Sequence, residues 1–169
     1  MKIRKLQLKD APLMLEWMHD SSINYWFQFD GNTKTLADAE AYVKTAGRSK
    51  DELHYAITDD SDEYLGTVSL KSIDKDGQKA EYAICLRGKA QGMGAAEYAT
   101  RRILEIGFEE LGLSRVYLNV LTENLRANKF YSKFGWVYEG EFRKGIRHRG
   151  ELKDLKWYSI LREEYYDNN

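Results

Sequence analysis

The nine residues 89–97, KAQGMGAAE, set two closely spaced glycines, Gly92 and Gly94, ahead of a helical pattern. Glycines before a helix start let several backbone N–H groups converge on an anion, and the helix dipole favours negative charge there. The same letters also suit an ordinary loop, because every helix start leaves four N–H groups to be solvated. Two named phosphate loops do not fit. A dinucleotide loop wants a third glycine where Glu97 stands, and a P-loop wants Lys and Ser or Thr where Ala95 and Ala96 follow Gly94. What remains is a pyrophosphate site of another kind. Two other features carry no site: Asp74-Lys75-Asp76-Gly77 lacks the glycine position and closing glutamate of a calcium loop, and His19, His54 and His148 share no metal spacing.

Charged residues make up 31% of the 169, yet the formal net charge is −1, so any anion site must be local and no basic field invites nucleic acid. The single cysteine, Cys85, excludes an internal disulfide and a cysteine-rich zinc site, and fits a reducing compartment. No apolar run follows Met1 or approaches the roughly 18 residues of a membrane span. The expectation is a cytoplasmic protein of one domain, residues 1–169, with no metal and no membrane partner.

Periodicity supplies the elements that must position the loop. IRKLQL alternates as a half-buried strand, and Asp10 is placed to cap a helix through APLMLEWMH with Pro12 in its first turn. Thr35 and Asp38 resemble a capping box opening LADAEAYVKTA, which Gly47 ends. HYAIT, YLGTVSLKSI and KAEYAICL then form a three-strand meander broken by DDSDE and DKDG. After the loop, Ala96, Ala99, Ile103 and Ile106 share a helix face that Gly112 closes. RVYLNVL reads as a strand, and ENLRANKFYSKF as a helix with Ala127, Phe130, Tyr131 and Phe134 on one stripe and Gly135 in left-handed geometry at its end. WVYEGEFRKGIRHRG and ELKDLKWYSILREEY are two extended segments around a polar turn. The fold class is α+β in three layers, α/β/α: a mixed, mostly antiparallel sheet of six to seven strands with helices on both faces.

This order of elements, with Lys89-Ala90-Gln91-Gly92-Met93-Gly94 and the run Asn124, Ala127, Phe130, Tyr131, Lys133, Gly135, Trp136, resembles the GCN5-related N-acetyltransferase (GNAT) superfamily along essentially the whole chain. Lys89 stands where that family's signature has Gln or Arg. Within the family, AEY at 80–82 and INYWF at 23–27 are similar to the branch of spermidine, amino-sugar-nucleotide and ribosomal-protein acetyltransferases. The resemblance implies an acyl-CoA N-acyltransferase fold, acetyl-CoA as co-substrate and a primary amine of a small molecule as acceptor, and it allows a homodimer. It implies that Lys89, Gln91, Gly92, Met93, Gly94 and Ala95 cradle the pyrophosphate, with the N–H groups from Gln91 to Ala95 pointing at it. The strand end Ala83, Ile84, Cys85 and Leu86 would receive the pantetheine amides along an unpaired backbone edge.

Acetyl transfer to an amine needs a proton taken from the amine, a donor for the thioester oxygen and a proton for the departing sulfur. By position in the family, Glu81 matches a base that acts through water, Tyr131 matches the acid beside the sulfur, and Asn124 matches an asparagine that holds coenzyme A. Structural readings stand beside these: Glu81 as a strand carboxylate paired with a lysine, Tyr131 as a core ring and Asn124 as an N-cap. Tyr25, Trp26 and Phe27, with Phe29, form an aromatic cluster suited to walling the acceptor site. Only Asp30 lies nearby, which favours an amino sugar over a polyamine. Protein N-terminal acetylation and a non-catalytic acyl-CoA-binding module are the alternatives. The basic cluster Arg143, Lys144, Arg147, His148 and Arg149 reads either as protection of a sheet edge or as a contact to a nucleotide-linked acceptor.

Overall fold

The computed structural model describes residues 1–167. Seven strands form one mixed sheet: β1 (Lys2–Lys5), β2 (Leu53–Thr58), β3 (Tyr64–Asp74), β4 (Lys79–Leu86), β5 (Arg115–Leu121), β6 (Val137–His148) and β7 (Glu151–Leu161), in the order β1-β2-β3-β4-β5-β7-β6. Every neighbouring pair is antiparallel except β4 and β5. The meander and the final hairpin therefore meet at a single parallel seam.

Alternation along the strands gives the sheet two apolar faces, and each has its own core. Ala56, Tyr64 and Cys85 pack against α1 (Ala11–Met18), the single turn α2 (Ser21–Asn24) and α3 (Leu36–Ala46) through Met14, Trp17, Ile23, Ala39 and Val43. Ile57, Val68, Leu70, Ala80 and Tyr82 pack on the opposite side against α4 (Ala95–Glu105) and α5 (Leu125–Phe134). In α4, Ile103 and Leu104 are wholly buried, each contributing about 2 kcal/mol by removal from water. Its last turn widens into a π-helical segment, Ile106–Glu110, which puts Ile106, Gly107 and Phe108 into the core in succession. The strands β3 and β4 approach closely at Gly66, where a Cβ would lie 2.2 Å from the Cys85 carbonyl oxygen.

The capping box forms as its spacing predicts: Thr35 Oγ1 accepts from the Asp38 N–H at 3.3 Å, and Asp38 accepts from the Thr35 N–H at 2.8 Å. Two expectations are corrected. Asp10 does not cap α1. Its carboxylate is buried and takes both Arg4 guanidinium nitrogens at 2.8 Å and the Gln7 N–H at 2.8 Å, which curls residues Leu8–Asp10 into a 3-10 turn and stops β1 at Lys5. Asp20, which carries no expectation, accepts from the Ser22 N–H and starts α2. The C-terminal extended segment ends at Leu161, because Glu164 takes the Leu161 N–H at 2.9 Å and turns Arg162–Asp167 into a short helix, α6.

Candidate active site

β4 and β5 pair only through Lys79↔Arg115, Ala80↔Val116 and Glu81↔Tyr117, then part. Beyond the fork β4 keeps its bonds to β3, and β5 keeps its bonds to β7. The parting opens a cleft of about 800 Å³ whose walls include Ala83, Ile84, Cys85 and Leu86 from β4 and Asn119, Val120 and Leu121 from β5. One edge of β4 thus faces the cleft with backbone groups free to pair with amides. Burial holds the Cys85 thiol well above its ordinary pKa, so it meets the cleft as an apolar group and not as a thiolate.

The glycine loop closes one end of this cleft. Gly92 and Gly94 adopt left-handed φ of 81° and 78°, and a Cβ on either would meet nothing within 4 Å. The N–H groups of Gln91 and Met93 close turns on the Gly88 and Ala90 carbonyls, so they do not join the cradle expected of them. Gly92, Gly94 and Ala95, at the start of α4, are left to serve an anion. Gln91, Gly92, Gly94 and Ala95 line the cleft; Lys89 and Met93 do not. Lys89 instead pairs with Glu63 at the head of β3, and Met93 is half exposed. The buried Arg87 anchors the loop base by donating to Glu16, to Glu63 and to the Tyr64 carbonyl.

Glu81 sits at the fork, half-buried and lining the cleft, with Lys71 Nζ at 3.3 Å. Tyr131 lines it from α5. Its ring packs among Phe130, Tyr158, Trp136 and Tyr82 at centroid distances of 5.5, 5.9, 5.9 and 6.3 Å, and burial pushes its pKa well above that of a free tyrosine. The phenol therefore stays protonated throughout the neutral range and keeps a proton to donate there. Asn124 lines the cleft and also caps α5, accepting from the Ala127 N–H at 3.2 Å. The N-cap reading of that residue is borne out.

At the other end, Ser22, Ile23, Trp26, Phe27, Gln28 and Phe29 form a wall. Phe27 and Phe29 also pack on Trp17 beneath it. Tyr25 stays outside the lining: its hydroxyl donates to Glu123 at 3.0 Å, which raises the Tyr25 pKa, while Lys153 and Tyr25 together lower that of Glu123. Sequence reasoning missed Arg126, Lys133 and Asn119 as lining residues; only the position of the first two inside the Asn124–Trp136 pattern hinted at them. Arg126 hydrogen-bonds Gln91, joining α5 to the glycine loop. The basic cluster divides: Arg143, Lys144 and Arg147 are exposed, whereas His148 is buried and, with Ile146, faces the cleft. Among the described residues, no group of His, Cys, Asp and Glu side chains could hold a metal ion. No helix there is long and apolar enough to cross a membrane.

Residues 1–137 match the acetyltransferase (GNAT) domain family. The spermidine N(1)-acetyltransferase of Vibrio cholerae is 26% identical over 147 residues, covering 87% of this chain and 84% of that protein. The putative ribosomal N-acetyltransferase YdaF of Bacillus subtilis is 31% identical over 100 residues, 59% of this chain and 55% of its own. Among solved structures, the spermidine N-acetyltransferase from Vibrio cholerae in complex with CoA and spermine superposes with a TM-score of 0.88 at 24% identity, covering 98% of this chain and 97% of that one.

Proposed function

The chain belongs to the GNAT acetyltransferase family and is an acetyl-CoA-dependent N-acetyltransferase; from that premise we propose that it acetylates the primary amine of a small hydroxylated molecule, an amino sugar or similar, by direct transfer in a ternary complex. One observation carries this reading: Glu81 stands where β4 and β5 part, on the cleft that Tyr131 and the glycine loop also line. The co-substrate supplies an acetyl thioester. The bare, left-handed Gly92 and Gly94 suit its pyrophosphate, and the free β4 edge suits the amides of its pantetheine arm.

An amine of the lysine type has a pKa of about 10 and arrives protonated at neutral pH. Glu81 removes that proton through a water, with the Lys71 ammonium 3.3 Å away. Tyr131, kept neutral by burial, gives its proton to the departing sulfur. Asn124 and Arg126 hold coenzyme A at the loop and α5. Trp26 and Phe27 present aromatic faces to the acceptor, which suits a sugar ring.

Spermidine, the acceptor named for the Vibrio cholerae relative, is the second reading, supported by that likeness. Against it stands the local charge: Glu81 already carries Lys71, Glu123 carries Lys153, and Asp30 is spent on the Asn32 N–H. A second ammonium finds no spare carboxylate among them. Thiol release from acetyl-CoA with glucosamine, spermidine and an N-terminal peptide amine separates the readings. Turnover of glucosamine above the others supports the proposal, and turnover of none removes it.

A further inference from the structure

His148 is 2% exposed, lines the acceptor end of the cleft, and its Nε2 is buried with no hydrogen-bond partner among the described residues. A buried polar atom left unpaired is costly, and natural folds rarely keep one without a use for it. Tyr25 packs against the imidazole, the two rings meeting edge-to-face at 5.3 Å. Tyr25 is in turn fastened at its rim. Its hydroxyl donates to Glu123, and the Arg149 guanidinium lies 5.5 Å from its ring centroid while donating to the carbonyl and side-chain oxygens of Asn24 at 3.1 Å. The tie to Glu123 is exposed and the Arg149 bonds to Asn24 are part-buried, so moving Tyr25 aside breaks no fully buried hydrogen bond among them.

We propose that His148 is an acceptor-contacting, specificity-determining residue, its Nε2 hydrogen-bonding a hydroxyl on the body of the amine once Tyr25 moves aside. This rests on the reading of the cleft as an N-acetyltransferase site with a small hydroxylated acceptor. A hydroxyl both donates and accepts, so it satisfies Nε2 in either imidazole tautomer, whereas an ammonium can only donate. A hydrocarbon body would leave Nε2 as it stands, buried and unpaired. The residue therefore discriminates by what it would lose with the wrong acceptor.

The test compares glucosamine with cyclohexylamine, rings of like size with and without hydroxyls, in the parent, His148→Leu and His148→Gln. The parent should prefer glucosamine. His148→Leu should lower kcat/KM for glucosamine about 5- to 50-fold while changing cyclohexylamine less than about 3-fold. Because Leu removes an unpaired buried nitrogen, Tm and acetyl-CoA affinity by calorimetry should hold. Gln, which keeps a polar atom near Nε2, should retain part of the preference. In the parent carrying coenzyme A, the His148 Nε2 resonance should shift with glucosamine and not with cyclohexylamine. Equal losses for both amines in His148→Leu would overturn the inference and leave a packing role. A preference for glucosamine that survives in His148→Leu, or an unmoved resonance, would overturn it while leaving the acceptor class intact. A parent that turns over neither amine would refute the underlying acceptor reading, and the inference with it.

Discussion

Replacing Tyr131 by Phe removes one oxygen from a ring that is held on four sides by Phe130, Tyr158, Trp136 and Tyr82. The apolar area stays, so the fold should lose less than about 0.5 kcal/mol at neutral pH, below the roughly 1 kcal/mol of a typical hydrogen bond. If the phenol protonates the departing sulfur, kcat should fall about 10- to 1,000-fold, which is about 1.4–4 kcal/mol of transition-state stabilisation. Acetyl-CoA affinity should be nearly unchanged, since the interaction strengthens only as charge develops. The pH dependence separates packing from chemistry further. The folded pKa of Tyr131 lies above the 10 of a free tyrosine. Above pH 10 the unfolded chain therefore releases a proton that the folded chain still holds, and stability is lost as pH rises toward the folded value. The Phe variant has no such term, so it should melt with the parent at pH 7 and above it beyond pH 10. Steady-state kinetics, calorimetry and melts at pH 7 and 10.5 read all three effects. A variant that turns over and binds like the parent would make Tyr131 a core ring only. One that melts several degrees lower at pH 7 would show that its hydroxyl supports the fold.

Glu81→Gln should lower kcat about 10- to 1,000-fold near neutral pH and recover as pH rises and more amine is neutral; equal loss at every pH would mark Glu81 as a structural partner of Lys71. Gly92→Glu sets a side chain at a φ of 81° where no protein atom lies within 4 Å of its Cβ. It should cost about 1–2 kcal/mol in backbone strain and weaken acetyl-CoA binding at least 10-fold by calorimetry, and unchanged affinity in the folded variant would remove the loop from the site. Gly66→Ala drives a methyl to within 2.2 Å of the Cys85 carbonyl and must push β4 from β3; a drop of about 2–3 kcal/mol in chemical denaturation with weakened acetyl-CoA binding is expected, and a parental melt would contradict the close approach.

The strands nearest the site were legible because their ends coincide with turn chemistry. Asp74-Lys75-Asp76-Gly77 ends β3, with the Asp74 carboxylate taking the Gly77 N–H, and Lys79–Leu86 and Arg115–Leu121 match the residues read from alternation. What escaped was set by partners far along the chain or by a side chain acting against its usual role. Asp10 has the type and place of an N-cap, but Arg4 claims its carboxylate from the preceding strand. Lys89 sits in a glycine-loop pattern, yet Glu63, 26 residues earlier, holds it away from the cleft. Glu164 starts α6 from within a run that alternation alone extends as strand. His148 was one letter in a basic run, and only the pleat of β6, facing it inward while Arg147 faces out, sets it apart. The two glycines marked the loop as a candidate anion site, but which of its N–H groups remain open depends on turns that no spacing rule specifies.

The parallel seam has a mechanical meaning as well. Three residue pairs join β4 to β5, while β5 and β7 are joined by seven, so the sheet behaves as two plates on a narrow hinge. The first plate carries α1 to α3 on one face, and the second carries the long final hairpin. A molecule with amides spaced along its length, laid in the gap, supplies the rungs that the polypeptide omits and couples the plates into one stiffer body. The opening is a fault line built into the middle of a sheet, and filling it converts binding energy into rigidity at the moment when the fork residue must be held still.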